Sequence, residues 1–226
     1  MAPDLGSARP IIGVLAGEDF PLARLAELLK TAGYVAAADR GADRCLAAGR
    51  APDVLLGDLD SVRPETVRSA PVVLELPDQN LSDADKLLAH LGECARRQPG
   101  TPVVVAAMEG DRLDHVLATL QSVARANLPL TLVLRNGYAR VVTAGQSLAV
   151  PHLGPRRVSA LPLTASHVRL TGVRWPVDGA LDPLGLTSLS NEAEPNARAI
   201  VTVQSGAVAV IWEASPSEPA PWTLTP

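Results

Sequence analysis

Two aspartates, Asp58 and Asp60, stand two residues apart directly after the apolar run Val54-Leu55-Leu56. If that run is a buried strand, the chain turns at Gly57 and both acids leave its carboxyl end, the edge where open α/β sheets receive ligands. The arrangement recurs along the chain: Asp39 follows the run 34–38, Asp78 follows 72–76 and Glu109 follows 103–108. Carboxylates about 4 Å apart oppose each other by roughly 4 kcal/mol at an effective dielectric near 20. A protein that keeps several on one edge must raise their pKa values, separate them in water or neutralise them with a cation. Hard oxygen donors favour magnesium or calcium over zinc. Each acid alone also reads as a turn residue or helix N-cap. Asp58 and Asp60 together, in this company, read as ligands for a divalent cation.

Two further segments could do chemistry. In the stretch 78–86, Ser82 precedes Asp85 by three residues, a capping box that predicts a helix start and sets Asp83 in its first turn, where the helix dipole favours the ionised form. Farther on, Arg112, Asp114 and His115 fall at the opening of a helix whose buried face is predicted at Val116, Leu117, Leu120 and Val123. Backbone donors at such a turn suit a phosphate, and Arg112 adds a fork of positive charge. The other reading is a surface pair between Arg112 and Asp114 capped by His115.

The elements needed to position these groups are legible up to about Leu134, where short β-rich runs alternate with helical ones. That pattern predicts a mostly parallel, Rossmann-like sheet wrapped by helices. A first strand spans 11–15, a helix presents Leu22, Leu25, Leu28 and Leu29 before Gly33, and a second strand delivers Asp39. A short helix holds Cys45 and Leu46, and a longer one buries Leu87, Leu88, Leu91 and Ala95. Beyond Asn136-Gly137 prolines recur and only short strand-like runs remain, at 141–143, 158–161, 168–170, 200–203 and 207–212. The division predicted is an α/β domain over 1–137 and a smaller all-β sandwich over 138–226, with an irregular tail from Ser215.

Of the 226 residues, 47% are hydrophobic and 19% charged, the net charge is -4, and the rings amount to three Trp, two Tyr and one Phe. That composition fits a globular protein working on small molecules and argues against nucleic acid, which calls for clustered cations interleaved with rings. Cys45 and Cys94 form no close pair and read as reduced packing residues of a cytoplasmic protein. The first nine residues lack a cationic signal start, and no run approaches the roughly 20 apolar residues that span a bilayer.

In order and spacing these motifs resemble the thiamine pyrophosphokinase (thiamine diphosphokinase) family over nearly the whole chain. The segments similar to the family are Asp39-Arg40-Gly41-Ala42-Asp43, Pro52-Asp53 with Gly57-Asp58-Leu59-Asp60-Ser61, the run from Asp78 to Lys86, and Gly110-Asp111-Arg112-Leu113-Asp114-His115. In the β-rich half they are Ser159 to Leu163, Thr171 to Pro176 and Leu189 to Glu192. Three positions depart from the family pattern. Arg40 and Asp111 stand for glycines, and Asn80 stands for a carboxylate.

The resemblance implies transfer of an intact pyrophosphoryl group from ATP to the hydroxyl of thiamine, giving thiamine diphosphate and AMP. It implies Asp58, Asp60 and Asp83 as magnesium ligands, and Arg112 as the cation that steadies the transferring group. Asp39, Gly41, Asp78, Gln79, Asp114 and His115 are expected around the nucleotide and phosphates. Trp175, Ser188, Ser190 and Asn191 are expected at the thiamine. These last four also read structurally, Trp175 as core and the polar three as turn residues. The resemblance further implies a homodimer in which the acceptor lies between the catalytic domain of one subunit and the β domain of the other. Rival readings are a diphosphokinase for another heterocyclic alcohol such as a hydroxymethylpterin, a non-catalytic nucleotide or thiamine-diphosphate binding protein, and a magnesium-dependent phosphohydrolase using Asp58 as nucleophile.

Overall fold

A computed structural model of the chain describes residues 9–110, 112–151, 154–215 and 217–223. The start of the chain, Asp111 and part of the proline-bearing tail therefore lie outside the described residues. The chain divides into two compact units, one up to Arg135 and one from Asn136.

In the first unit strands and helices alternate. They are β1 (Ile11–Val14), α1 (Leu22–Thr31), β2 (Tyr34–Ala38), α2 (Gly41–Ala47), β3 (Val54–Gly57), α3 (Pro64–Ser69), β4 (Val73–Glu75), α4 (Asp83–Arg97), β5 (Val103–Ala106), α5 (Leu113–Ala126) and β6 (Leu130–Leu134). The strands pair in parallel in the order β6-β5-β1-β2-β3-β4, with Gly13 opposite Ala36 on one side and Val105 on the other. The chain builds outward from β1 through β4 and then returns to lay β5 on the other side of β1. Such a reversal opens a crevice at the carboxyl ends of the central strands. Strands β1, β3 and β5 are buried along their whole length, as unbroken apolar runs covered on both faces must be.

Helix α4 sets the geometry of that crevice. It starts at the capping box, where the Ser82 side chain accepts from the Asp85 N–H and Asp85 accepts from the Ser82 N–H. It buries Ala84, Leu87, Leu88 and Leu91 and packs on β1, β2 and β3. A side chain at Gly13 would come within 2.7 Å of Leu91 Cδ1, so the glycine lets the helix lie close on the sheet.

Three expectations are corrected here. The run 72–76 forms only the edge strand β4, with Val73 and Leu74 exposed, because nothing covers its outer side among the described residues. Helix α3 carries no amphipathic repeat and was not foreseen; it begins with Pro64 in its first turn and is anchored by the Thr66 hydroxyl, which donates to Asp43. In α5 the buried stripe is Thr119, Ser122 and Val123, while Leu117 is exposed, because the helix turns its small polar residues toward α4.

The second unit is all β. Its strands are β7 (Gly137–Thr143), β8 (Ser147–Ala149), β9 (Arg157–Pro162), β10 (Ser166–Thr171), β11 (Val177–Leu181), β12 (Ser188–Glu192), β13 (Ile200–Ser205) and β14 (Ala207–Glu213). They pair antiparallel in two sets, β12-β9-β14-β7 and β11-β10-β13-β8. Strand β10 alternates buried and exposed residues with period two, and β13 meets β7 and β14 through the other set. Trp212 is fully buried there, tilted against Tyr138. Strands β8, β11 and β12 were not foreseen, since Ser, Asn and Gly dilute their β signal.

Candidate active site

The acids at the carboxyl ends of β2 and β3 and at the start of α4 meet. Asp39 follows β2 in the left-handed region, φ 43°, and is almost fully buried. Its Oδ1 accepts the N–H of Leu59 at 3.0 Å, which ties the end of β2 to the turn after β3. Gly57, at φ 146°, completes that tie, because any side chain there would collide with the Asp39 carboxylate. Leu59 (φ 65°) and Ala107 (φ 58°), after β3 and β5, are also left-handed. Non-glycine residues in that region cost about 1–3 kcal/mol each and collect at functional edges.

Burial, and then the carboxyl of Asp83 facing it, push the Asp39 carboxyl far above the usual carboxylate range, and the charge of Asp58 adds to the effect. Asp58 behaves in the opposite way. Gln79 Nε2 donates to its Oδ2 at 2.9 Å, the Asp60 N–H approaches Oδ1 at 3.4 Å, and these bonds, Gln79 first, hold its pKa below the ordinary value. Four carboxylates thus share one edge as two neighbouring pairs, Asp39 with Asp83 and Asp58 with Asp60.

The expected ligand trio of Asp58, Asp60 and Asp83 does not close: among the described residues no three His, Cys, Asp or Glu side chains converge as a group able to hold a metal ion. Asp58 is engaged by Gln79 and by the Asp60 N–H, while Asp83 acts on Asp39. The donor set nevertheless fits a hard divalent cation. All four groups offer carboxylate oxygen, and burial first, then the charges of Asp83 and Asp58, push Asp39 up, an effect that a bound cation would oppose.

The remaining expected residues of this unit occupy defined places. Gly41 opens α2, buried where a side chain would strike the Val14 carbonyl. Asp78 is exposed and accepts from both the backbone N–H and the side-chain amide of Asn80, at 2.8 and 3.0 Å, so Asn80 closes its own loop. Arg112 grips Asp114 in a two-pronged pair, Nε to Oδ1 at 3.0 Å and Nη2 to Oδ2 at 2.7 Å, with both side chains exposed. That fork lowers Asp114 to about 2. The Arg112–Asp114 pair of the second reading is present, with His115 exposed beside it. Arg40 pairs with Glu18 at 2.7 Å on the surface. Glu109 stands apart from the other acids, accepting the N–H of Arg135. A groove of about 480 Å³ between α4 and α5, lined by Leu88, Gly92, Arg96, Ser122 and Arg125 among others, contains none of the expected site residues.

Sequence reasoning named one residue near this edge, as the end of the run from Asp78 to Lys86, without giving it a role. Lys86 is 4% exposed, in the second turn of α4, and its charge helps hold Asp58 low. The available signal was a lysine three residues after Asp83, interrupting an otherwise apolar stripe.

In the second unit Trp175, Ser188, Ser190 and Asn191 form their own cluster. Trp175 is half exposed and is not core; the Arg174 guanidinium stacks over its ring at 4.7 Å. Asn191 is buried with its amide fully used: Oδ1 accepts from the N–H groups of Trp175 and Glu192, and Nδ2 donates to the Trp175 carbonyl and Ser188 Oγ. Between Ser188 and Asn191 the register of β12 on β9 shifts, and Ser190 adopts φ 52° with its N–H bonded to Ser159 Oγ at 3.0 Å. Asn191 thereby fixes Trp175, and the bulge turns Ser190 outward.

Residues 25–133 match the family described as thiamin pyrophosphokinase, catalytic domain. Thiamine pyrophosphokinase 1 of Oryza sativa subsp. japonica is 27% identical, over 63% of this chain and 60% of the relative, so the similarity spans less than two thirds of that protein. Two solved structures share the fold. The thiamine pyrophosphokinase of Bacillus subtilis has a TM-score of 0.71 at 22% identity over 91% of this chain and 99% of its own. The enzyme of Candida albicans has 0.75 at 15%, over 92% and 90%. The carboxylate edge lies within residues 25–133, the segment of this chain that is similar to the thiamin pyrophosphokinase catalytic domain.

Proposed function

We propose that this chain transfers the pyrophosphoryl group of ATP to the hydroxyl of thiamine. The observation that carries the reading is the gathering of Asp39, Asp58, Asp60 and Asp83 on one strand-end edge inside a thiamin pyrophosphokinase catalytic domain. The hydroxyl oxygen bonds to the β-phosphorus and gives its proton to solvent, the bond from that phosphorus to the α,β-bridging oxygen breaks, and the electron pair leaves on AMP. Such a reaction asks the protein chiefly to align reactants and stabilise charge.

In this reading the first unit acts as a Rossmann-like nucleotide-binding domain over about 1–137. Asp58, Asp60 and Asp83 would hold magnesium, which would neutralise phosphate charge. Asp39, Gly41, Asp78, Gln79, Asp114 and His115 shape the nucleotide and phosphate pocket. Arg112, its fork oriented by Asp114, steadies the transferring group. The β domain over 138–226 contributes the acceptor side, with Trp175 as a flat apolar wall and Ser188 and Ser190 as hydrogen-bonding groups, Asn191 holding them in place. A cytoplasmic homodimer completes the proposal. The family match favours this reading over a pterin diphosphokinase or a non-catalytic binder.

The test follows AMP formation from ATP and magnesium with thiamine or 6-hydroxymethylpterin as acceptor. AMP that depends on thiamine supports the proposal. AMP only with the pterin, or tight ATP binding with no AMP from either, rejects it.

A further inference from the structure

We propose that Arg44 is a positioning residue of the candidate site: by holding the loop after β1 it seats the segment that carries Gly110 and Arg112 beside the Asp39 edge. The role rests on the function proposed above, while the contacts stand by themselves. The loop 15–20 leaves the carboxyl end of β1, the strand between β5 and β2, and is held from both sides. On the β5 side the Gly17 N–H donates to the Ala107 carbonyl at 2.7 Å and the Asp19 N–H to the Glu109 carbonyl at 3.2 Å. Gly17 and Gly110 meet backbone to backbone, since a side chain on Gly17 would strike the Glu109 carbonyl and one on Gly110 would lie 3.4 Å from Gly17 Cα. On the β2 side the hold comes from α2. Arg44 Nη2 donates to the Phe20 carbonyl and Nη1 approaches the Glu18 carbonyl at 3.5 Å, so one guanidinium spans both. The exposed pair of Arg40 with Glu18 adds little, because water screens it. Arg44 Nε is buried with no hydrogen-bond partner among the described residues, and burial lowers the pKa of the group. A side chain kept for packing alone would carry no such penalty. Helix α2 itself begins two residues after Asp39, with Gly41 against the Val14 carbonyl. Arg44 therefore ties the aspartate side of the crevice to the Arg112 side, where a slip of about 1 Å costs on the order of a hundredfold in rate.

The experiment compares the full-length wild type with Arg44→Lys and with Arg44→Ala, the latter also in the presence of methylguanidinium. Kinetics read kcat and the KM of each substrate, amide hydrogen exchange reads the loop at Gly17 and Asp19, and thermal unfolding reads the fold. Arg44→Ala is expected to lower kcat/KM for ATP by about a hundredfold while moving the KM for thiamine less than about threefold, and to speed exchange at Gly17 and Asp19. Methylguanidinium should restore about tenfold of that loss, and Arg44→Lys, which keeps the charge but not the two-pronged donor, should fall between Arg44→Ala and wild type. Kinetics within about threefold of wild type in Arg44→Ala would overturn the proposal, as would unchanged exchange at Gly17 and Asp19. So would matched rises in both KM values, a loss that neither lysine nor methylguanidinium lessens, or unfolding of both variants, each of which marks a purely structural arginine. If Arg44→Ala alone fails to fold, Arg44→Lys decides by the same kinetic and exchange readings. A wild type that binds ATP but forms no AMP contradicts the function proposed above instead, and the exchange arm with calorimetric binding of ATP and magnesium still decides the role of Arg44.

Discussion

Gln79, from the loop after β4, donates through Nε2 to Oδ2 of Asp58 at the end of β3, over 2.9 Å. This bond is the largest cause of the lowered pKa of Asp58. It therefore keeps a solvent-facing carboxylate ionised beside a neighbour, Asp39, that is driven toward its neutral form. Gln79→Ala is expected to let Asp58 titrate at higher pH, read by carboxyl-carbon NMR, and to reduce turnover about tenfold, the scale of one charge-assisted hydrogen bond. An unchanged Asp58 titration would remove Gln79 from the site.

Asp58→Asn and Asp60→Asn remove charge from the same pair without changing shape. Each is expected to lower kcat by at least about a hundredfold with the fold intact, as for a preorganised electrostatic contact. Because Asp60 is exposed and touches the site through Asp58, wild-type turnover in Asp60→Asn alone would reduce the working edge to Asp39, Asp58 and Asp83.

Asp85 predicts an acid limb of stability. Partial burial opposes its ionisation, but hydrogen bonds from Ser82, Ser122 and Arg125 outweigh that and hold its carboxyl at about 2, against an ordinary 3.8. A carboxyl depressed in the folded state stabilises above its unfolded pKa, and the contribution fades as pH falls from about 4 to about 2. Urea unfolding of Asp85→Ala should show a loss of about 1 kcal/mol near neutrality, since the variant also breaks the capping box. The gap to wild type should close through that acid window, and a gap independent of pH would assign the loss to packing instead.

Ser190 and Asn191 separate by role. Asn191→Ala strips four hydrogen bonds from a buried amide and is expected to cost about 2 kcal/mol in stability. Ser190→Ala leaves stability unchanged and is expected to raise the KM for thiamine about tenfold with ATP unaffected. Equal effects on both substrates would argue against an acceptor role.

How much of this was readable in the residues depends on whether a feature is local. The run 34–38 is a strand with the bounds its apolar pattern announced, and the capping box at Ser82 and Asp85 formed as its spacing required. Strand β12 escaped because Ser188, Ser190 and Asn191 look like turn residues until a neighbouring strand pairs with them. The left-handed backbone at Leu59 and Ala107 has no side-chain signature, and the burial of Lys86 is decided by where α4 lands on the sheet. The acids were identifiable one at a time. Their division into Asp39 with Asp83 and Asp58 with Asp60 is a tertiary fact.

The central claim is that this edge moves two phosphates together. ATP labelled at the β-phosphorus, supplied with magnesium and thiamine, tests it directly. The account predicts label in thiamine diphosphate and one unlabelled AMP for each product molecule, with both formed at least about a hundredfold more slowly in Asp58→Asn. Labelled ADP as the product, or labelled pyrophosphate released to water at the same rate without thiamine, would contradict it.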